Sequence, residues 1–328
     1  MSTDEVRPSF LPEGYNAMFL IGSGQSANVF LATYEHDKEY ALKLLKPLVR
    51  GDAKLRSMFE REVKLTLGLD HKNVVKAYEG EPTGERAYMV LEFYPKNLDT
   101  LLAEDDMIPL EEAYKIILGV ASGLVYVHNK NIIHRDLKPA NVYLTAEHMP
   151  KVADFGTGIY LGESQDDRAG TVYYMAPEIF LGEPASVQSD VYALGVLAYE
   201  VLTHRRPFTG NDYETVKNAH LFTVADNPTR YRKDLDKRLN KVFAKALAKE
   251  LPERYKTVAD FGRAFKAAIT PAEEASEEEV EAAVGRASVG RGSRGGAAQP
   301  SPKKSAREPA KKKEGKQGFL GRFLKRKK

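Results

Sequence analysis

The spacing of apolar residues changes once along this chain of 328 residues, close to Tyr94. Before that point, residues 39–46 and 86–94 alternate imperfectly between apolar and polar side chains, with the period of two that is typical of strands. Beyond it, residues 109–128 have one apolar face with period 3.6, and residues 191–202 are apolar nearly all round, as central helices are. The change predicts a strand-rich lobe followed by a helical lobe, an arrangement that suits a core of about 255 residues.

Two short motifs carry the candidate chemistry. HRDLKPAN occupies residues 134–141, and DFG follows it, beginning at Asp154. Phosphoryl transfer from ATP needs an aligned hydroxyl and neutralised negative charge rather than covalent chemistry. We therefore interpret Asp136 as the base that accepts the proton of the acceptor hydroxyl, and Lys138 as a contact to the transferring phosphoryl group. Asn141 and Asp154 supply hard oxygen donors, which suit Mg²⁺.

With these motifs in this order, the chain resembles the eukaryotic-type (Hanks-type) serine/threonine protein kinase family over about residues 15–270. The resemblance implies an α+β fold, the bilobal protein kinase fold. Its small antiparallel β-sheet lobe is expected at residues 15–94 and its larger helical lobe at residues 95–270. The resemblance also implies that ATP and Mg²⁺ bind in the cleft between the lobes, and that protein substrates supply Ser/Thr acceptors.

The glycine-rich segment GSGQSANV, residues 22–29, lies between two extended runs and predicts a strand–loop–strand hairpin. In the family such a hairpin covers the phosphates of ATP, whereas a lone glycine-rich match is more commonly an ordinary turn. Ala27 stands where the family pattern has its third glycine, so we expect a slightly stiffer loop. The resemblance implies nucleotide contacts from Ile21, Gly22, Ser23, Gly24, Gln25, Ser26, Ala27, Asn28 and Val29.

Lys43 lies among apolar residues of a predicted strand, where an ammonium group needs an anionic partner. A lysine that extends its stem from an edge strand is the alternative interpretation. In the helix predicted at residues 59–67, the buried stripe that ends at Leu67 includes Glu62 and leaves Glu60 outside. We therefore predict that Glu62 pairs with Lys43, and the resemblance implies that the pair holds the lysine against the α- and β-phosphates.

The run at residues 86–94 predicts the last strand of the small lobe and the hinge to the large lobe. The resemblance implies that the backbone near Glu92 and Tyr94 bonds the adenine ring. It also implies a nucleotide contact from Ala41, in the strand that carries Lys43. Backbone contacts specify no side chain, so these positions depend on the resemblance alone.

Three charged residues are predicted to support the large lobe. Asp190 precedes the apolar run at residues 191–202 and could be a plain N-cap of that helix. The resemblance implies instead that its carboxylate bonds the backbone of the catalytic loop, residues 134–141. The resemblance likewise implies that Glu178 pairs with Arg254. Both are structural roles, since a buried ion pair broken on one side costs about 3–5 kcal/mol.

Regulation is predicted in the segment between the DFG motif and the APE motif, which occupies residues 176–178. Arg135, beside the predicted base, resembles the arginine that receives a phosphate from this segment in related kinases, and Thr157, Ser164 and Thr171 are the candidate acceptors. Thr171 is expected to have the family's structural role near the base, so Ser164 is the better candidate for a switch. A solvated loop without regulation is the alternative.

The acceptor class follows from the catalytic loop, because tyrosine kinases usually place Ala or Arg at the position of Lys138. We predict an ATP-dependent serine/threonine protein kinase that is also able to autophosphorylate. The alternative is a pseudokinase, a scaffold that acts through protein or membrane binding. Pseudokinases typically lack one or more of five residues that are intact here: Lys43, Glu62, Asp136, Asn141 and Asp154.

The absence of cysteine excludes disulfides, thiolate metal sites and cysteine chemistry. No apolar run approaches the roughly 20 residues that a membrane-spanning helix needs. The first residues also lack the apolar core of a signal peptide. We therefore expect a cytoplasmic protein, with peripheral attachment to a membrane surface through its tail as a further hypothesis.

Charge is distributed unevenly between the core and the tail, residues 271–328. After an acidic stretch that ends at Glu281, residues 286–328 carry a net charge of +13, so the rest of the chain carries −10 within the total of +3. Few large apolar residues precede Phe319, which predicts a disordered tail. Residues 318–328 predict a short amphipathic, basic helix that binds an anionic membrane surface or an acidic partner.

Two other interpretations of the tail stay open. Nucleic acid is the less favoured partner, because phosphate contacts require no apolar side chains. A solvated, charged end without a partner is the simplest alternative.

Overall fold

The computed structural model describes residues 8, 10–35, 38–104, 106–155, 159–160 and 172–271. The candidate phosphosites Thr157, Ser164 and Thr171 lie outside the described residues, as do residues 272–328 of the predicted tail. The predictions made for them stay predictions.

The first lobe is a five-stranded antiparallel sheet with a helix packed against one face. Its elements are the strands β1 (Tyr15–Ser23), β2 (Ala27–Tyr34), β3 (Lys38–Leu45), β4 (Ala77–Glu81) and β5 (Tyr88–Glu92), and the helix α1 (Ala53–Leu67). The strand order is β1-β2-β3-β5-β4. Period two in β3 separates the faces, because Tyr40, Leu42 and Leu44 are buried on the face away from α1 while Ala41 and Lys43 lie on the other.

Helix α1 begins after Asp52, whose carboxylate accepts hydrogen bonds from the backbone N–H groups of Lys54 and Leu55. The prediction that Leu67 belongs to the buried stripe is wrong, since this side chain is 39% exposed. Leu65 is buried instead and joins the core of the second lobe. The last turn of α1 therefore packs against both lobes, which the periodicity of the helix alone does not reveal.

The second lobe is mainly helical. Its helices are α2 (Leu98–Leu102), α3 (Leu110–Asn129), α4 (Pro177–Phe180), α5 (Val187–Thr203), α6 (Tyr213–Phe222), α7 (Arg238–Ala246) and α8 (Val258–Ile269). Its short strands are β6 (Lys96–Asn97), β7 (Ile132–Ile133), β8 (Val142–Leu144), β9 (Pro150–Val152) and β10 (Ile159–Tyr160). Strands β6, β8 and β9 form one sheet, and β10 pairs with β7. The predicted two-lobed α+β architecture is confirmed.

Helix α5 lies at the centre of the second lobe, because every residue from Ser189 to Thr203 is buried. The helix begins earlier than the apolar run suggested, after Ser186. The Ser186 hydroxyl accepts from Gln188 N, and Ser189 Oγ accepts from Ser186 N, so the two serines form a capping box. The alternative that Asp190 is a plain N-cap is therefore wrong.

Backbone hydrogen bonds fasten the segment before β4 to β9 in the second lobe. Val75 N donates to Val152 O, and Val152 N donates to Asn73 O, both at 2.9 Å. Helix α3 approaches this segment closely: a Cβ on Gly123 would lie 2.6 Å from Asn73 O, so only glycine fits there. Because Asp154 follows β9 by two residues, these contacts set the position of the DFG motif.

Candidate active site

The carboxylate of Asp190, in α5, holds the start of the catalytic loop. Its Oδ2 accepts from His134 N at 2.8 Å and its Oδ1 from Arg135 N at 3.0 Å. His128 Nε2 also bonds Oδ2, at 2.7 Å. Burial acts to raise the pKa of Asp190, but the bonds from His128 and His134 outweigh it and hold this pKa below its ordinary value. The bond to the catalytic loop that the resemblance implied for Asp190 is thus present.

His134 connects the catalytic loop to the DFG motif. Asp136 N donates to His134 Nδ1 at 3.3 Å, so Nε2 carries the ring proton and donates to Ala153 O at 3.0 Å. The imidazole lies 5.0 Å from the ring of Phe155, measured between centroids, and is fully buried. No role was predicted for His134, although its ring bonds the backbone of both Asp136 and Ala153.

Two residues of these motifs adopt left-handed backbone conformations, Arg135 with φ of +70° and Asp154 with φ of +66°. Such conformations cost a non-glycine residue on the order of 1–3 kcal/mol. The bonds from Asp190 and His134 hold the flanking backbone and offset that cost. The strained backbone therefore lies at Asp154 and directly before Asp136, the two residues whose carboxylates the site requires.

Two of the predicted residues, Lys138 and Asn141, bond to a third, Asp136. Lys138 Nζ donates to Asp136 Oδ2 at 2.7 Å. Asn141 Nδ2 donates to Asp136 O at 2.8 Å and to Asp136 Oδ2 at 3.2 Å. These bonds fix the rotation of the Asp136 carboxylate and turn the amide oxygen of Asn141 away from it, because the amide nitrogen faces Asp136.

A second group of charged side chains consists of Lys43, Glu62 and Asp154. Lys43 Nζ donates to Glu62 Oε1 and lies 3.7 Å from Asp154 Oδ1. The predicted pairing of Lys43 with Glu62 is confirmed, and Glu60 pairs instead with Lys64 on the helix surface. Burial acts to lower the pKa of Lys43, but the carboxylates of Glu62 and Asp154 raise it well above its ordinary value. These carboxylates therefore favour the charged form of Lys43 in the cleft.

A cleft of about 510 Å³ lies between the sheet and the second lobe, and many of the predicted site residues line it. These are Ile21, Gly22, Val29, Ala41, Lys43, Glu62, Glu92, Tyr94 and Asp154. The volume lies within the range of about 300–1,000 Å³ that is usual for ligand sites. The hinge residues 92–95 line one part of the cleft, and the charged side chains of Lys43, Glu62 and Asp154 line another.

The remaining predicted residues of the hairpin do not line the cleft. They are Ser23, Gly24, Gln25, Ser26, Ala27 and Asn28. Ala27 is buried in the core of the first lobe with Leu45, and Ser23 Oγ donates to Asn28 Oδ1 at 2.9 Å. Contacts from this tip to a ligand therefore depend on backbone groups rather than on these side chains.

The hinge residues Glu92 and Tyr94 form several contacts within the protein. Glu92 N donates to Lys76 O at 2.9 Å, so this N–H is already bonded within the protein. The Glu92 carboxylate accepts from Lys151 Nζ at 3.2 Å. Burial, followed by the bond to Glu92, raises the pKa of Tyr94 well above its ordinary value.

Further residues that were not predicted also line the cleft: Phe19, Val75, Phe93, Pro95, Asn97, Tyr143 and Ala153. Tyr143 had a usable signal, because it alternates with Val142 and Leu144, which are buried on the opposite side of β8. Val75 had none, since its place depends on the backbone bonds to β9.

The predicted pair of Glu178 and Arg254 is confirmed and is bidentate, at 2.8 and 3.0 Å. Ser189 Oγ also donates to Glu178, at 2.8 Å. The Arg254 guanidinium lies over the ring of Tyr192 at 4.9 Å. This buried group of side chains joins α4 to α5.

Within the described ranges, no cluster of three or more His, Asp or Glu residues is arranged to hold a metal ion. No helix in that part of the chain has both the length and the apolar character needed to cross a bilayer.

The family model for the protein kinase domain matches residues 15–263 of this chain. Among curated proteins, the chain is 30% identical over 261 residues to serine/threonine-protein kinase PrkC of Bacillus subtilis, a match that covers 78% of this chain and 40% of that protein. It is 33% identical over 266 residues to serine/threonine-protein kinase PknB of Mycobacterium tuberculosis, covering 77% of this chain and 42% of PknB. The chain thus spans about two fifths of the length of these relatives.

Proposed function

This chain belongs to the protein kinase family, and from that premise we propose that it transfers the γ-phosphoryl group of ATP to Ser and Thr hydroxyls of protein substrates, its own among them. The observation that carries the proposal is the meeting of Lys138 and Asn141 at Asp136, beside a cleft that contains the paired Lys43. Both relatives named above are serine/threonine-protein kinases, which supports the acceptor class.

ATP fits the two ends of the cleft as a substrate. The apolar end suits the adenine ring, and the Glu92 carbonyl and the Tyr94 backbone are the groups that would bond its edge. The Lys43 ammonium, which Glu62 holds in place, would meet the α- and β-phosphates. The hairpin tip would cover the phosphates through its backbone N–H groups.

The donor chemistry near the phosphate end fits Mg²⁺. Asn141 would offer its amide oxygen and Asp154 its carboxylate, and the bond from Ala153 N to Asn141 O, 2.9 Å long, keeps the two segments together. Two hard oxygen donors are what this ion takes from a protein when phosphate oxygens and waters complete its shell. When bound, Mg²⁺ would neutralise charge on the phosphate oxygens.

In the proposed reaction, the Asp136 carboxylate orients the acceptor hydroxyl and receives its proton as the oxygen attacks the γ-phosphorus. The bond from the γ-phosphorus to the β–γ bridging oxygen breaks, and ADP leaves with that oxygen. Lys138, now 2.7 Å from Asp136, would contact the transferring phosphoryl group and lower its negative charge. Asp190 and His134 touch neither reactant, and they position the backbone that carries Asp136. Pseudokinases typically lack one or more of Lys43, Glu62, Asp136, Asn141 and Asp154. All five are present here, so no observation favours the scaffold alternative.

We also propose that the basic segment at residues 318–328 brings the enzyme from the cytoplasm to an anionic membrane surface. The net charge of +13 in residues 286–328 supports this, since each cation near such a surface contributes about 1 kcal/mol. Vesicles with anionic lipid should retain the full chain at low salt and release a chain that lacks residues 286–328. Equal retention of both chains would exclude the membrane role, and salt-sensitive retention on DNA alone would favour nucleic acid.

The decisive test of the kinase proposal is ATP-dependent phosphate incorporation with Mg²⁺, into the protein itself and into a generic protein substrate. We expect phosphoserine or phosphothreonine with the wild type and at least a ~100-fold lower rate with Asp136→Asn. Equal thermal midpoints and equal ATP affinity of the two proteins would show that the variant is folded. Equal incorporation by the two proteins would refute the assignment of Asp136.

A further inference from the structure

One residue, Lys46, fastens the hairpin tip between β1 and β2 to the end of β3. Its ammonium group donates to Gly24 O, and its backbone N–H donates to Ser26 O at 2.9 Å. Gly24 N donates in turn to Ala27 O at 2.9 Å, which closes the turn. Lys46 therefore binds two carbonyl groups of the tip, one on each side of Gln25.

The bond to Gly24 O decides which way the next N–H group points. A trans peptide is planar, so the carbonyl of Gly24 and the N–H of Gln25 point in opposite directions. Because the Lys46 ammonium holds the carbonyl, the Gln25 N–H is turned away from Lys46.

The strand alternation of β3 identifies the side to which it turns. Lys46 has the parity of Leu44, which is buried on the face away from α1, whereas Lys43 has the opposite parity and lines the cleft. Lys46 follows the last residue of β3 with an extended backbone, φ −66° and ψ 136°, so the alternation still holds there and the Gln25 N–H is expected on the side of the cleft. Among the described residues, no group accepts a hydrogen bond from it.

We propose that Lys46 is a positioning residue for the nucleotide, which orients the Gly24–Gln25 peptide so that its N–H, and not its C=O, meets the phosphate oxygens of ATP. Phosphate oxygens accept hydrogen bonds, so a carbonyl turned toward them would repel them, whereas successive N–H groups attract them. Lys46 acts through the peptide and needs no contact with ATP. This inference rests on the proposed function, because it takes ATP as the ligand of the cleft.

The test compares Lys46→Met with Lys38→Met by calorimetric binding of ADP, with Mg²⁺, and of adenosine. Methionine keeps most of the apolar stem and removes the ammonium group. Lys38 is the matched control, because it lies at the other end of β3 with its ammonium 5.2 Å from the ring of Tyr40. Lys46→Met should weaken ADP binding about tenfold and leave adenosine binding unchanged, because adenosine has no phosphate. Lys38→Met should change neither, and Lys46→Arg should restore most of the ADP affinity.

The outcomes separate positioning from a general role in folding. An equal loss of ADP and adenosine affinity in Lys46→Met would mean that the residue merely supports the lobe, and the inference would be overturned. Unchanged ADP affinity in that variant would overturn it as well. Adenosine binding also reports that the cleft of the variant is folded. A wild-type protein that binds adenosine but not ADP would refute both the inference and the proposed function.

Discussion

Replacement of Glu178 by glutamine should destabilise the second lobe strongly although the change is nearly isosteric. The Arg254 side chain is fully buried and makes five hydrogen bonds, of which two go to the Glu178 carboxylate. The other three go to backbone carbonyls of Gln188, Ala248 and Lys249, which are neutral. Glu178→Gln therefore leaves a buried guanidinium without its counter-charge.

The expected loss is about 3–5 kcal/mol in the free energy of unfolding, the cost of breaking a buried ion pair on one side. For a domain of this size each kcal/mol lowers the thermal midpoint by roughly 2–4 °C, so the midpoint should fall by about 6–20 °C. Urea unfolding followed by circular dichroism measures the free energy, and the slope against urea should be unchanged if only the native state is affected.

Glu60→Gln is the matched control, because Glu60 pairs with Lys64 four residues on and both side chains are exposed. This surface pair should contribute no more than about 0.5 kcal/mol. A loss below 1 kcal/mol in Glu178→Gln, or a loss equal to that of the control, would refute the reasoning that buried charge compensation holds α4 to α5.

Two further predictions concern the cleft and the second lobe. Lys43→Met should lower kcat/KM for phosphate incorporation by more than ~100-fold, because it removes the cation between Glu62 and Asp154; a change of less than threefold would contradict this. Burial, with Lys249 acting in the same direction, lowers the pKa of His220 from 6.5 to about 3. The unfolded chain then takes up the proton first, so stability should be complete above pH 6.5 and fall toward pH 3 by up to about 1.4 kcal/mol per unit. His220→Phe should show a shallower fall between pH 6.5 and 5 in urea unfolding, and an unchanged slope would exclude the histidine as the cause.

The pairing of Lys43 could be predicted because it depends on local rules. An ammonium group in an apolar strand needs a carboxylate, and the period of one helix separates Glu62 from Glu60. Leu67 shows the limit of the same argument, since the last turn of α1 packs on the second lobe as well. A helical period identifies one apolar face and does not reveal a second neighbour.

The support of the catalytic loop could be reached only through the resemblance. Asp190 could have been an N-cap by local rules, and its bonds to His134 and Arg135 join residues more than 50 positions apart. The proposed role of Lys46 has no sequence signal either, since a lysine after a strand is ordinary. Only the folded hairpin brings the Lys46 ammonium group to Gly24 O.

The bonds from Asp190 also couple local unfolding of the catalytic loop to local unfolding of α5. A backbone amide exchanges its hydrogen only when its bond opens, and the amides of His134 and Arg135 are bonded to a side chain of the most buried helix. Although they lie in a loop, these amides should belong to the slowest-exchanging cooperative unit of the domain. Asp136, the next residue along the chain, should therefore keep its backbone position as long as α5 stays folded.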